Sequence, residues 1–139
     1  MTSQNSSNKQ VVATMFFYND SSRTAASGEL DGSGKFINFA DMSGFGHWTH
    51  IVPVDGRLFF YNRASRTAAS GELDGSGNFV NLADMSGFGD WTHIVPVDGR
   101  LFFYNRASRT AASGELDGSG NFVNLADMSG FGEWTHIAG

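Results

Sequence analysis

The chain has 139 residues, a length that suits one domain, and its formal net charge of −5 argues against nucleic acid as a partner. The absence of cysteine excludes disulfides and thiol chemistry. No apolar run approaches the roughly 18 residues that span a bilayer, and no apolar signal segment opens the sequence. We therefore expect a soluble protein without membrane insertion, expressed in the cytoplasm.

The chain consists of a short polar segment followed by a repeated unit. Residues 1–10 are polar, and we predict that they form a disordered tail. The remaining residues, 11–139, repeat with a period of 43, which is the spacing of the three tryptophans. A period of this size is typical of propellers, solenoids and other repeat folds. We place the three repeats at about 13–55, 56–98 and 99–139.

Four strand patterns follow one another within each repeat length. They are Trp91–Val97, Leu101–Tyr104, Thr110–Leu116 and Phe122–Ala126. The first two are rich in β-branched and aromatic residues, and the Asp-Gly pair between them is a strong hairpin signal. No stretch shows the spacing of apolar residues that a helix requires. Four short antiparallel strands joined by tight turns describe one propeller blade, so we predict an all-β propeller with three four-stranded blades per chain.

Three segments of the repeat resemble a known family. In chain order, the segments are Trp-Thr-His-Ile, Asp-Gly-Arg-Leu-Phe-Phe-Tyr and Asn-Leu-Ala-Asp-Met-Ser-Gly-Phe-Gly. The combination resembles the blades of tachylectin and tectonin-type β-propeller lectins. The resemblance implies a propeller that binds carbohydrate.

Three blades are too few to close a ring, because propellers typically contain four to eight. Bare end faces and unpaired edges invite association, and two chains would supply six blades. We therefore predict a homodimer that forms one six-bladed ring. In it, Trp134–Ile137 of one chain would pair with Met15–Tyr18 of the other and complete a shared blade. The alternative is a β-trefoil, which also has three four-stranded units and closes as a monomer.

Candidate binding residues recur in every repeat. An exposed indole can stack on a sugar, although each tryptophan could instead pack between blades as core. An arginine after a turn and a glutamate six residues later would share one face of a strand, as a sugar site or as a surface ion pair. A histidine two residues after the tryptophan and a tyrosine could add hydrogen bonds at the same rim. The candidates are Trp48, Trp91, Trp134, Arg23, Arg66, Arg109, Glu29, Glu72, Glu115, His50, His93, His136, Tyr18, Tyr61 and Tyr104.

These residues predict binding rather than catalysis. We expect no metal, no cofactor and no enzyme activity, because the sequence lacks a cysteine nucleophile, a histidine-rich metal motif and a phosphate loop. Near-identical repeats instead give several equal, shallow sites, and linked weak sites gain avidity. The predicted function is multivalent glycan binding. The alternative is a recently duplicated or engineered scaffold without a selected ligand, since residues 56–94 and 99–137 differ at only one position.

Overall fold

The computed structural model describes residues 14–139, and every regular element within them is a β-strand. The all-β prediction is therefore confirmed for this part of the chain. Across these residues there is no helix that could cross a membrane. The predicted tail at residues 1–10 lies outside the described residues.

The strands form three antiparallel sheets in which each strand pairs with its neighbour in sequence. The first sheet contains β1 (Thr14–Asn19), β2 (Thr24–Leu30) and β3 (Phe36–Met42). The second contains β4 (His50–Val54), β5 (Arg57–Asn62), β6 (Thr67–Leu73) and β7 (Phe79–Met85). The third contains β8 (His93–Val97), β9 (Arg100–Asn105), β10 (Thr110–Leu116) and β11 (Phe122–Met128). A separate four-stranded sheet from one repeat length is a propeller blade, so the trefoil alternative is wrong.

The Asp-Gly hairpins have the backbone that their sequence predicts. Asp98 has a φ of 50° and Gly99 a φ of 78°, and Asp55 and Gly56 repeat this geometry at 51° and 74°. Two successive positive φ values define a type I′ turn, whose twist matches that of the flanking strands. This turn fixes the register in which Arg100 lies opposite Val97.

A bulge divides the third strand of a blade. The register between β10 and β11 shifts between Ser113 and Gly114, and the shift recurs between Ser27 and Gly28. A side chain at Gly114 would come within 2.1 Å of the Phe122 ring and 2.5 Å of the Val123 carbonyl. The bulge therefore requires glycine, and it reverses the alternation of side chains along the strand.

The predicted strand at Trp134–Ile137 is not formed. The corresponding strand β8 is held by β9, whose Tyr104 lies opposite His93. Among the described residues no strand follows Ile137 to provide such a ladder, and an extended segment without a partner has no sheet hydrogen bonds. Pairing of this segment with Met15–Tyr18 of a second chain stays a prediction.

The chain divides into two compact units. The larger unit contains residues 48–72 and 81–139, and its core consists of aromatic residues from the second and third sheets. Phe59, Tyr61 and Phe103 are fully buried, and the rings of Phe59 and Phe103 meet edge to face at 5.8 Å. Aromatic pairs of this geometry stabilise a core beyond the area that they bury.

The smaller unit contains the described residues up to His47 together with Leu73–Val80. Its aromatic cluster comprises Phe16, Phe45 and Phe79, with ring centroids 5.6–6.5 Å apart. The buried Ser27 hydroxyl donates a hydrogen bond to the carbonyl of Gly77, at 2.5 Å. The hairpin that carries Gly77 thus packs directly on the first sheet.

The larger unit repeats this contact. The Ser70 hydroxyl, also fully buried, donates to the Gly120 carbonyl at 2.5 Å. Gly120 has a φ of 85°, and a Cβ there would lie 2.5 Å from Ser70 Oγ and 2.8 Å from Leu82 Cβ. Only glycine allows the hairpin to approach the preceding sheet this closely.

We expect Gly120→Ala to lower the free energy of unfolding by about 2 kcal/mol, because the methyl group strains the backbone and displaces the buried hydrogen bond. Gly118→Ala is the control, since a Cβ at Gly118 meets no atom within 4 Å. Urea denaturation of both variants measures the difference. Equal stability of the two would contradict the proposed close contact.

Candidate functional site

The loop that leads to each tryptophan is held by a hydrogen bond from a tyrosine of the preceding sheet. The Tyr61 hydroxyl donates to the Gly89 carbonyl at 2.6 Å and accepts from the Trp91 amide at 3.1 Å. Tyr104 makes the same two bonds, to Gly132 and from Trp134. These bonds fix the backbone on both sides of residue 90 and so set the direction of the indole that follows.

The loop and the third sheet enclose a cleft of about 380 Å³ within the larger unit. The Trp91 ring lies 5.7 Å from that of Phe103, and Phe122 packs edge to face on Phe103 at 5.2 Å. Phe88 closes the aromatic wall, 5.5 Å from Phe122. The cleft therefore has an apolar floor and wall built from four aromatic rings.

Three polar side chains stand at the edge of the cleft. Asn121, Asn124 and Asp127 line it and are exposed to solvent. The Asn124 amide lies 3.5 Å from the Asp127 carboxylate, so both side chains point toward the same region. Asp127 is the one ionisable residue among the described residues that line this cleft. Aromatic surface beside a carboxylate and two amides can bind a small polyhydroxylated ligand.

The predicted tryptophans occupy related but unequal positions. Trp91 lines the cleft, and Trp48 contacts Phe60 at 5.6 Å as Trp91 contacts Phe103. Trp134 is 55% exposed, because the described residues contain no later sheet for it to cover. Trp48 and Trp91 thus pack on the second strand of the sheet that each leads into, and Trp91 also contributes one edge to the cleft.

Two of the predicted histidines, His50 and His93, begin strands β4 and β8 and contact the backbone of the following repeat. Nε2 of His50 contacts the Thr92 carbonyl at 3.0 Å, and Nε2 of His93 contacts the Thr135 carbonyl at 2.9 Å. A carbonyl oxygen only accepts, so this nitrogen carries the hydrogen. His136 retains the local contact with the threonine hydroxyl, at 3.0 Å. None of these histidines lines the cleft.

The predicted arginine–glutamate pair does not form. Arg23, Arg66 and Arg109 precede their strands and have φ values of 59–63°, so they lie outside the alternation of the strand. The bulge then shifts the register before Glu29 and Glu115. The expectation that both side chains share a face was wrong for these two reasons. The observed ion pair agrees with this, because the Glu115 carboxylate lies 3.6 Å from the guanidinium of Arg100 and not beside Arg109. Glu72 lies exposed on the strand that follows Arg66.

In the second and third repeats, arginines instead contact the residue before the tryptophan. Asp90 binds Arg63 at 2.6 Å and lies 4.0 Å from Arg66, while Glu133 lies 3.2 Å from Arg106 and 3.4 Å from Arg109. The hydrogen bond from Arg63 lowers the pKa of Asp90 and raises that of Arg63. These exposed pairs orient the turn more than they stabilise the fold.

The first repeat has the opposite arrangement of charge. Asp20 stands where the other repeats have arginine, and His47 stands where they have a carboxylate. The His47 ring lies 2.5 Å from Asp20. Slight desolvation raises the pKa of Asp20, but hydrogen bonds from Tyr18 and His47 outweigh it, so the pKa is lowered overall. Both members of the pair have changed together, and the contact is kept.

Two of the three predicted tyrosines lie fully buried inside the blades rather than at a rim. Tyr61 and Tyr104 have no exposed surface, and their hydroxyls are engaged by the loop backbone. Tyr18 likewise donates to the Gly46 carbonyl, at 2.6 Å. We therefore leave the tyrosines out of the candidate site.

Sequence reasoning missed the polar edge of the cleft. Asn124 and Asp127 belong to the Asn-Leu-Ala-Asp-Met motif, which is identical in the second and third repeats. The motif was visible, but Asn and Asp on an exposed strand are indistinguishable from ordinary surface residues. Only their position beside Trp91 marks them as part of a site.

Comparison with solved structures supports the propeller fold. A protein from Lactobacillus plantarum is similar at 19% identity and a TM-score of 0.59, over 84% of this chain and 39% of that protein. A proposed 6-phosphogluconolactonase from Bacteroides fragilis is 13% identical, with a TM-score of 0.63, over 87% and 37%. The periplasmic gluconolactonase of Pseudomonas aeruginosa is 14% identical, with a TM-score of 0.53, over 86% and 40%.

These similarities define the class of fold alone. The chain spans about two fifths of the length of each of these proteins. Its successive antiparallel sheets, one from each repeat, place the chain in the β-propeller class of fold. No family model and no curated protein matches the sequence.

The buried Tyr61 predicts a loss of stability at alkaline pH. Burial raises the pKa of Tyr61 above its usual value of 10.0, so its contribution is complete below that pH and is lost as pH rises through the folded pKa. Between about pH 8 and about pH 11, the wild type should lose more stability to urea than Tyr61→Phe does. An equal alkaline loss in wild type and Tyr61→Phe would refute this.

Proposed function

We propose that the protein binds carbohydrate non-catalytically, through a cleft whose polar residues recur in the sequence of each repeat. The observation that carries the proposal is the cleft between the Ser86–Gly89 loop and the third sheet, where Trp91 and three phenylalanines face Asn124 and Asp127. Its volume of about 380 Å³ lies at the lower end of the range for small-molecule sites. A mono- or disaccharide suits this size.

The chemistry of the cleft matches the two faces of a sugar ring. The C–H face of a pyranose packs on aromatic rings, and its hydroxyls need both donors and acceptors. The Asp127 carboxylate accepts, and the amides of Asn121 and Asn124 can do both. Because these polar groups are exposed beside part-buried rings, a ligand can reach them without opening the core.

Repetition would compensate for a shallow site. The sequence places Asn81 and Asp84 in the second repeat where the third has Asn124 and Asp127. The first repeat has Asn38 and Asp41 there. Linked weak sites on one particle can bind roughly 10²–10⁴ times more tightly than one alone. We therefore propose binding to surfaces that display many glycans.

The ionisable groups of the cleft support a role without catalysis. Hydrolysis of sugars or their lactones by acid–base chemistry usually relies on paired groups with different proton affinities. The part of the cleft that the structure describes contains one carboxylate, Asp127, and no histidine. The lactonase names belong to structures below 20% identity, whose likeness extends to the fold.

A repeat scaffold without a selected ligand is the second candidate. It is favoured by the paired change of Asp20 and His47, which keeps a structural contact while altering the charge beside the loop. In that case the identity of the repeats would reflect packing between blades alone. The cleft would then be a consequence of the loop geometry.

A glycan array on the wild type, followed by titration of the best ligand, distinguishes the two. Asp127→Asn keeps the shape but removes the charge and should weaken binding at its site at least about tenfold, the effect of losing one charged hydrogen bond. Glu115→Gln is the control, because it removes an exposed carboxylate that contacts Arg100 outside the cleft. Absence of any glycan binding by the folded protein would favour the scaffold.

A further inference from the structure

Four contacts join the second repeat to the third within the larger unit, and each uses a different residue type. Ser70 donates to the Gly120 carbonyl, and the Phe122 amide donates to Met85 Sδ at 3.3 Å. The Arg57 guanidinium reaches the carbonyls of Asp117 and Gly118. Trp91 covers Phe103 at 5.7 Å. Together these contacts define how the third repeat packs on the second.

The third repeat contains the same four residues that the second repeat contributes to these contacts. Arg100, Ser113, Met128 and Trp134 stand 43 residues after Arg57, Ser70, Met85 and Trp91. Ser113 is part-exposed although Ser70 is fully buried. Leu125, the counterpart of Leu82 beneath the hairpin, is 47% exposed, and Trp134 is 55% exposed. These groups form a surface, which we call the tail face.

The first repeat contains counterparts of the residues that the third repeat contributes to these contacts. Phe17 is 44% exposed, whereas its counterpart Phe103 is 1% exposed. A Cβ at Gly34 meets no atom within 4 Å, although at Gly120 it would strike Ser70 and Leu82. A cavity of about 430 Å³ lies over Phe17, Ala26 and Asp41. We call this surface the head face.

We infer that the tail face of one copy docks on the head face of a second copy and reproduces the contacts between the second and third repeats. A second copy is the occupant that fits, because it presents the aromatic ring, the serine hydroxyl, the thioether and the guanidinium at the spacing that an internal interface already uses. The contact is heterologous, so it either closes a ring or extends in a line.

The junction would complete a further cleft, an extension that rests on the proposed function. Eleven of the twelve residues lining the internal cleft have identical counterparts across the head and tail faces, from Phe17, Phe36 and Asp41 on one side to Phe131 and Trp134 on the other. The exception is Lys35 in place of Asn121. A site that neither copy holds alone therefore forms on association.

Two variants that block opposite faces test this. Gly34→Ala blocks the head, because its methyl group meets no atom within 4 Å in the free chain but would meet Ser113 and Leu125 of the other copy. Trp134→Ala blocks the tail by removing the aromatic anchor, and should weaken association at least about 30-fold, as for a binding hot spot. Gly44→Ala is the control, with a φ of 80° against 81° at Gly34 and equally open space.

Sedimentation velocity of the folded proteins across the micromolar range gives the result. Wild type and Gly44→Ala should form particles of at least twice the 15.0 kDa chain mass, and each blocked variant alone should sediment as one chain. Mixing the two blocked variants should restore a one-to-one pair through the intact tail of Gly34→Ala and the intact head of Trp134→Ala.

Several outcomes would overturn the inference. They are a wild type that stays at one chain mass, blocked variants that still associate, and a mixture that gives no pair. The measurement needs no ligand, so its failure leaves the internal cleft and its Asp127→Asn test intact. Conversely, association without any glycan binding would support the interface and reject the proposed function.

Discussion

The buried hydrogen bond from a serine hydroxyl to the carbonyl of the next repeat's hairpin constrains most of this structure. It requires glycine at Gly77 and Gly120, because the hairpin backbone must reach Ser27 and Ser70 at 2.5 Å. Once the hairpin is seated there, the aromatic rings of neighbouring sheets meet edge to face. A larger residue at either end would separate the sheets and expose those rings.

The cleft follows from this packing. The chain must leave the outer strand of one blade and return to the inner strand of the next, and Tyr61 holds the returning loop by both Gly89 and Trp91. The indole then packs on Phe103 of β9, and Asp127, near the end of β11, lines the same cleft. Rigid aromatic walls beside exposed polar groups thus require no mobile loop, and a ligand would lose little affinity to ordering the protein.

The sequence predicted what depends on local backbone chemistry and missed what depends on neighbours. The period, the Asp-Gly turns and Thr110–Leu116 were read correctly, because alternation, β-branching and turn residues act locally. The arginine–glutamate face failed because a bulge and a left-handed turn residue leave no clear signal. Trp134–Ile137 forms no strand in the single chain, because strand formation needs a partner strand. Asp127 could not be predicted as a site residue, because only the fold brings it to the same cleft as Trp91, 36 residues earlier in the sequence.

The paired change in the first repeat shows how such repeats can diverge. Asp20 with His47 replaces Arg63 with Asp90, so the sign of each charge is exchanged while the contact remains. A single change would have left two like charges facing each other beside the loop. Similar cores can therefore carry loops of different charge, which gives repeats of one fold a route to different ligands.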